Sequence, residues 1–156
     1  MVLISACLVG VKCRYDGNAS PQEHLLAMIS DERFIPVCPE QLGGLSTPRP
    51  PAEILHGDGF DVLKKRAALV NSDSHDVTEW FLRGARETLY IAELLQVTTA
   101  ILKEKSPSCG VHSIKRKGVT VPGMGVTAAL LAEHGIQVIS SEKVYEDYVR
   151  YRRDRK

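Results

Sequence analysis

Four short aliphatic runs limit what this chain can fold into: VLIS (2–5), FIPV (34–37), TTAIL (98–102) and IQVIS (136–140). None carries a charge, and most positions are β-branched or otherwise apolar. Runs of this kind fit strands buried on both faces of a parallel sheet. Parallel strands need long crossovers, usually helical, and helix-like stretches lie between the runs. SPQEHLLAMI offers Ser20 as N-cap and Pro21 at the first helical position. DVTEWFLRGARETLYIAELLQ offers Asp76 as cap with Glu79 three residues on. Its Val77, Phe81, Ala85, Thr88, Ala92 and Leu95 fall near one face. GVTAALLAEHG stops at Gly135, a natural C-cap, and SSEKVYEDYVRYRRDRK reads as a polar terminal helix. Strands alternating with helices predict an α/β fold with a mostly parallel sheet flanked by helices, Rossmann-like. Residues 52–74 fit the alternation less well and read as a small hairpin excursion or a long loop. With no repeat and no linker, residues 1–156 are expected to form one domain.

The composition narrows the function classes. A formal net charge of +1 supplies no strong field for DNA or an anionic membrane. No run is long enough to span a bilayer, and MVLISACLVGV lacks the basic start and small-residue cleavage pattern of a secretory leader. The expected compartment is the cytoplasm, where thiols stay reduced, so the four cysteines are not expected to form a disulfide framework.

Three of those cysteines follow predicted strands. Cys7 follows VLISA, Cys38 follows FIPV, and Cys109 closes the loop after TTAILKE. In an open α/β sheet the carboxyl ends of the strands form the ligand-binding edge. Residues about thirty and about seventy positions apart can therefore meet there. Paired ligands at C-x₂₋₄-C spacing, usual for structural zinc, are missing, because five residues separate Cys7 from Cys13. The set remains compatible with a three-cysteine catalytic zinc, with an iron–sulfur cluster keeping one iron open, or with thiols buried simply as small apolar groups. Glu40 in VCPEQLGG is placed to exchange a proton at a metal-bound substrate, or is a solvated loop carboxylate. Ser106 and Ser108 in KEKSPSCG, with Lys103 and Lys105 nearby, either orient a substrate or form a turn. GMGVTAALL sets a G-x-G before a helix, which favours an anion or, more simply, a tight turn. His24, His56, His75, His112 and His134 are scattered without metal-ligand spacing.

ISACLVGVKCRYDG, PVCPEQLGGLSTPRPPAEI, DVTEWFLRGA, ILKEKSPSCG and GVTAALLAEHGIQVISSE occur in that order. Together they resemble the thiouracil desulfidase family over almost the whole chain. The resemblance implies a [4Fe-4S] cluster held by Cys7, Cys38 and Cys109, with the fourth iron free to take a substrate's sulfur. It implies desulfuration of thiolated uracil to uracil and sulfide, without net redox change. It assigns catalysis to Glu40 and Ser106 and leaves Cys13 outside the ligand set. Members fused to a further domain act on thiolated tRNA. This chain carries no such extension, which favours a thiolated nucleobase or nucleoside over tRNA. Two departures stand out: His75 where glycine is expected before DVT, and a short SIKRKGVTVPGMG segment.

Other readings compete. A zinc-dependent hydrolase or deaminase would use the same three cysteines with a metal-bound water. A metal-storage or redox-sensing protein would use them without catalysis. The basic RYRRDRK end suggests RNA binding, although such a tail is more often a solvated helix end.

Overall fold

The computed structural model describes residues 1–154. Its centre is a four-stranded parallel sheet of β1 (Val2–Ser5), β2 (Phe34–Val37), β5 (Thr99–Leu102) and β8 (Gln137–Ser140), in the order β2-β1-β5-β8. These are the four aliphatic runs, with Thr98 and Ile136 just outside the strands. Every residue of the central strands β1 and β5 is buried, as an uncharged run requires. The edge strands are only partly buried. Edge position also explains why Pro36 is tolerated in β2, since a proline cannot donate to a ladder on both sides.

Alternation along the strands divides the core. Val2 and Ile4 pack with Leu8, Leu25, Ile29, Ile101 and Ile139 on one face. Leu3 packs with Ala92, Val97, Ala100, Leu102 and Leu131 on the other. Helix α1 (Glu23–Met28) covers the first face. The long α4 (Thr78–Leu94) and α5 (Val126–Glu133) cover the second. A third apolar cluster of Ile54, Leu69, Phe81, Ile114 and Val126 lies under two antiparallel hairpins. One hairpin pairs β3 (Ala52–Ile54) with β4 (Leu69–Asn71) around α3 (Gly59–Leu63), which is the hairpin form of the 52–74 excursion. The other pairs β6 (Ser113–Arg116) with β7 (Val119–Pro122). Its two-residue turn, Lys117 at φ 51° and Gly118 at φ 74°, has the doubly left-handed backbone that matches strand twist.

Three helix ends differ from the sequence expectation or refine it. α1 starts at Glu23 with Gln22 as its cap, not at Ser20 and Pro21. The preceding backbone is committed elsewhere. Ser20 N–H donates to Cys7 O at 2.9 Å and Gln22 N–H to Leu8 O at 3.1 Å, which tethers this segment to the 3-10 turn Ala6–Val9. α4 has Val77 as its N-cap residue. Asp76 sits one position earlier and accepts from Thr78 N–H at 2.9 Å, while Glu79 is exposed and closes no capping box. Five of the six residues expected on the inner face of α4 are buried, and Leu95 falls past the helix end and is exposed. α5 ends as expected, with Gly135 at φ 76° and paired bonds from Gly135 N–H to Ala132 O and from Ile136 N–H to Leu131 O. The polar terminal helix is α6 (Val144–Asp154), and the last two residues of RYRRDRK lie outside the described residues. No helix among the described residues is long and apolar enough to cross a membrane.

Candidate functional site

Each strand-end cysteine is fixed by a different local device. Cys7 sits in the 3-10 turn that leaves β1, where Gly10 at φ 98° closes the turn and the Cys7 carbonyl accepts from Ser20 N–H. Cys38 is the N-cap residue of the short helix α2 (Pro39–Leu42), and Pro39 supplies a preset first helical position. Two glycines press α2 onto α4. A Cβ on Gly84 would lie 1.9 Å from Pro39 O, and one on Gly43 would lie 2.0 Å from Trp80 O. Only a hydrogen at each position lets the two backbones approach this closely.

Cys109 follows β5 on a loop built by side chains. The Ser106 hydroxyl oxygen accepts from Ser108 N–H at 3.2 Å and from Cys109 N–H at 3.0 Å. Glu104, 3% exposed, braces the same loop. One of its carboxylate oxygens accepts from the N–H groups of Val111, His112 and Ser113, each at 2.9 Å, and the other accepts from the Ser140 hydroxyl. Burial pushes its carboxyl upward. The Ser140 hydroxyl and those three amides more than offset this, so the group lies below the usual carboxylate range. The start of α5 is spent on this loop too. Val126 N–H donates to Pro107 O, and Thr127 N–H donates to Ser108 O, each at 2.9 Å. Gly125 meets the loop closely, because a Cβ there would fall 2.4 Å from Ser108 backbone atoms. The G-x-G is therefore a close-approach turn, and the helix start has protein carbonyls rather than an anion as partners.

These devices bring Cys7, Cys38 and Cys109 to one cavity of about 310 Å³ at the carboxyl ends of β1, β2 and β5. Glu40 and Ser106 line it as well, and so does Cys13. Ser108 turns away to a buried bond with Thr127, and none of the five histidines lines the cavity. Arg49, which sequence reasoning did not single out, is the centre of the polar wall. It is 8% exposed and donates from all three guanidinium nitrogens. Nε donates to Glu40 Oε1 at 3.0 Å, Nη1 to Ser46 O and Thr47 Oγ1, and Nη2 to Cys13 O at 2.9 Å. Its one sequence signal is an arginine set among prolines in TPRPP. For Glu104 the signal is weaker still, a single acid after a buried strand.

The thiols are all free. Burial first of all pushes Cys109 up to about 12, with Cys38 and Glu40 adding and the Ser5 hydroxyl opposing. Cys38 is raised by its contact with the Cys13 thiol and then by burial. Cys13 is lowered by Cys38, but its contact with the Cys7 thiol and burial outweigh that, and the net shift is upward. Thiols held protonated in this way are poor nucleophiles, whereas a cation that displaces their protons turns them into ligands. Among the described residues no three His, Cys, Asp or Glu side chains crowd closely enough to hold a single metal ion. The strand-end thiols instead line one cavity. Arg14, Lys103, Lys105 and Lys115 on the wall balance the negative charge that several thiolates would bring. The donor set thus fits an iron–sulfur cluster in softness and charge.

Comparison with known proteins agrees with this chemistry. A sequence model of the 2-thiouracil desulfurase family matches residues 2–143. The chain is 43% identical over 147 residues to the uncharacterized protein YbbK of Bacillus subtilis (strain 168), covering 92% of this chain and 97% of that one. Its fold superposes on the solved structure of TudS, a [4Fe-4S]-dependent thiouracil desulfidase, with a TM-score of 0.82, 39% identity and 96% of each chain covered. A match over nearly the full length, in sequence and in fold, means that this chain belongs to the 2-thiouracil desulfurase family, a family of enzymes.

Proposed function

We propose that this protein removes sulfur from a thiolated uracil, taken as free base or nucleoside, and releases it as sulfide. The overall change is C=S plus water giving C=O plus hydrogen sulfide. The ring carbon keeps its oxidation state, so no electron donor is required. Cys7, Cys38 and Cys109 would hold a [4Fe-4S] cluster as thiolates, three ligands for four irons. When bound, the cluster supplies a soft Lewis acid for the thiocarbonyl sulfur. The observation that carries this reading is the convergence of three strand-end thiols with Glu40 and Ser106 on one cavity.

The protein's own groups divide the proton work. Glu40 Oε1 is held by Arg49, and Oε2 has no hydrogen-bond partner among the described residues. That free oxygen accepts a proton from the water that attacks the ring carbon. The Ser106 hydroxyl oxygen already accepts two backbone amides. Its remaining hydrogen is available to the cavity, where it donates to the ring nitrogen or to the exocyclic oxygen as charge develops there. The turn that aims Ser106 is the turn that presents Cys109, so donor and ligand stay in register.

The test is anaerobic reconstitution, assay of iron and acid-labile sulfide, and incubation with 4-thiouracil, 2-thiouracil and 4-thiouridine. Loss of thiocarbonyl absorbance should match uracil or uridine and sulfide, one for one. Glu40→Gln should keep its iron and lose about 10²–10⁴-fold in rate, and Ser106→Ala is the parallel probe of proton donation. An iron-loaded chain that leaves all three substrates intact, or that contains only zinc, would sink the proposal. Activity confined to thiolated tRNA would move the substrate to RNA.

A further inference from the structure

Arginine and carboxylate commonly meet as a fork, two parallel bonds that engage both carboxylate oxygens. Arg49 and Glu40 meet differently. Nε donates to Glu40 Oε1 at 3.0 Å, but Nη2, the nitrogen beside Nε that would complete the fork, donates to Cys13 O at 2.9 Å. Nη1 is taken by Ser46 O at 3.0 Å and Thr47 Oγ1 at 3.1 Å. These bonds hold the guanidinium plane, so it cannot turn toward the second oxygen. The main chain is tied to the same segment, since Arg49 N–H donates to Tyr15 O at 2.8 Å. Thr47 carries the restraint back to α2. Its hydroxyl oxygen also accepts from Gln41 Nε2 at 2.8 Å, and Gln41 directly follows Glu40. Neither Thr47 nor Gln41 lines the cavity.

We propose that Arg49 and Thr47 are positioning residues that hold Glu40 by one oxygen and keep the other for the reaction. This rests on the reading of Glu40 as the group that takes a proton from the attacking water. A fork would make the tighter ion pair, but it would draw charge from both oxygens and weaken each as a proton acceptor. The single bond fixes the direction of the carboxylate and leaves Oε2 without a partner among the described residues. The side chains of Arg49 and Glu40 are only 4% and 17% exposed, so protein atoms rather than solvent set this geometry. A purely structural ion pair gains nothing from the diversion of Nη2 to Cys13 O. A base that must stay available does.

The experiment compares wild type, Arg49→Lys, Thr47→Val, Thr47→Ser, Glu40→Gln and the double variant Glu40→Gln with Arg49→Lys after anaerobic reconstitution. It reads iron and acid-labile sulfide per chain, Tm, and kcat and KM on whichever of 4-thiouracil, 2-thiouracil and 4-thiouridine wild type turns over fastest. Arg49→Lys cannot reach all four acceptors. It should keep wild-type iron and KM and lose about 10²-fold in kcat, as a misplaced reacting group does. Thr47→Val should lose about 2–12-fold in kcat, the range of one neutral hydrogen bond, and Thr47→Ser should restore it. In the Glu40→Gln background Arg49→Lys should cost nothing further, because it acts through the carboxylate. Thr47 is only partly buried, so its variants keep the test decisive should Arg49→Lys fail to fold. Wild-type kcat in the folded Arg49 and Thr47 variants would overturn the proposal. So would an undiminished effect of Arg49→Lys in the Glu40→Gln background, or a loss of iron in step with kcat, which would make the network a support of the thiols. An iron-loaded wild type that leaves all three substrates intact overturns the desulfuration reading, and this proposal with it.

Discussion

Gly84→Ala tests how the second thiol is held. Alanine is the best helix former, and in an exposed helix interior the change would stabilise by about 1 kcal/mol. Here the added Cβ would stand 1.9 Å from Pro39 O, and ordinary contact begins near 3.4 Å, so α2 and α4 must part by roughly 1.5 Å. The obstacle is a backbone carbonyl, which has no alternative rotamer. Overpacking costs typically ~1–3 kcal/mol, more where nothing can yield. Net of the propensity gain, a loss of about 2 kcal/mol is expected, or about 4–8 °C in Tm at this length. The larger effect falls on the site, because α2 carries Cys38 at its cap and Glu40 in its first turn. A misplacement of about 1 Å can cost on the order of 10²-fold in rate. Thermal unfolding, iron content after reconstitution and turnover measure the three effects. A variant equal to wild type in all three would refute the claim that the glycine contact positions α2.

Two further outcomes follow from the buried charges. Arg49→Gln removes the partner of Glu40 and the donor to Cys13 O, and should cost about 1.5–3 kcal/mol in denaturant unfolding. Arg49→Lys keeps the charge but cannot reach all four acceptors, so it should recover only part of that loss; full recovery would mean that charge alone matters. Glu104 has its folded-state carboxyl held below the usual range, so its contribution is complete above the unfolded value, about 4.3, and is lost as pH falls through the folded value. Glu104→Gln should therefore be less stable than wild type at pH 7, and the gap in Tm should narrow below about pH 4.3. A gap that is constant from pH 7 to pH 3 would remove the ionised carboxylate from the account.

The sheet was legible because a buried parallel strand leaves a signature in its own residues. VLIS and FIPV became β1 and β2 residue for residue. Convergence of Cys7, Cys38 and Cys109 followed from their position after three such strands. What could not be read depends on partners distant in sequence. Ser20 and Pro21 carry a good local helix signal, yet Ser20 N–H is committed to Cys7 O, and that tertiary bond outweighs it. The β6–β7 hairpin was not read from SIKRKGVTVP, whose Lys115, Arg116 and Lys117 interrupt its apolar pattern, although its K-G turn and the paired Ile114 and Val121 are a hairpin signal. Arg49 and Glu104 each find their role in backbone atoms, such as Cys13 O or the Val111 amide, whose approach no local pattern reports.

The fold arranges the site through contacts of its own backbone. Each thiol comes from a separate crossover, and each is fixed by bonds that do not involve sulfur. Cys7 depends on the Ser20 amide, Cys38 on the glycine contact of α2 with α4, and Cys109 on Ser106 and Glu104. Three independent anchors suit a labile group better than one shared ligand loop, because losing the group leaves every anchor in place. They also explain the cost in buried polar residues. Arg49 and Glu104 are the two buried charged side chains among the described residues, and each braces backbone at or near a cysteine. Their cost of burial is offset where every donor or acceptor is paired. Such a scaffold keeps the geometry of three thiols, one carboxylate and one hydroxyl under the control of the protein.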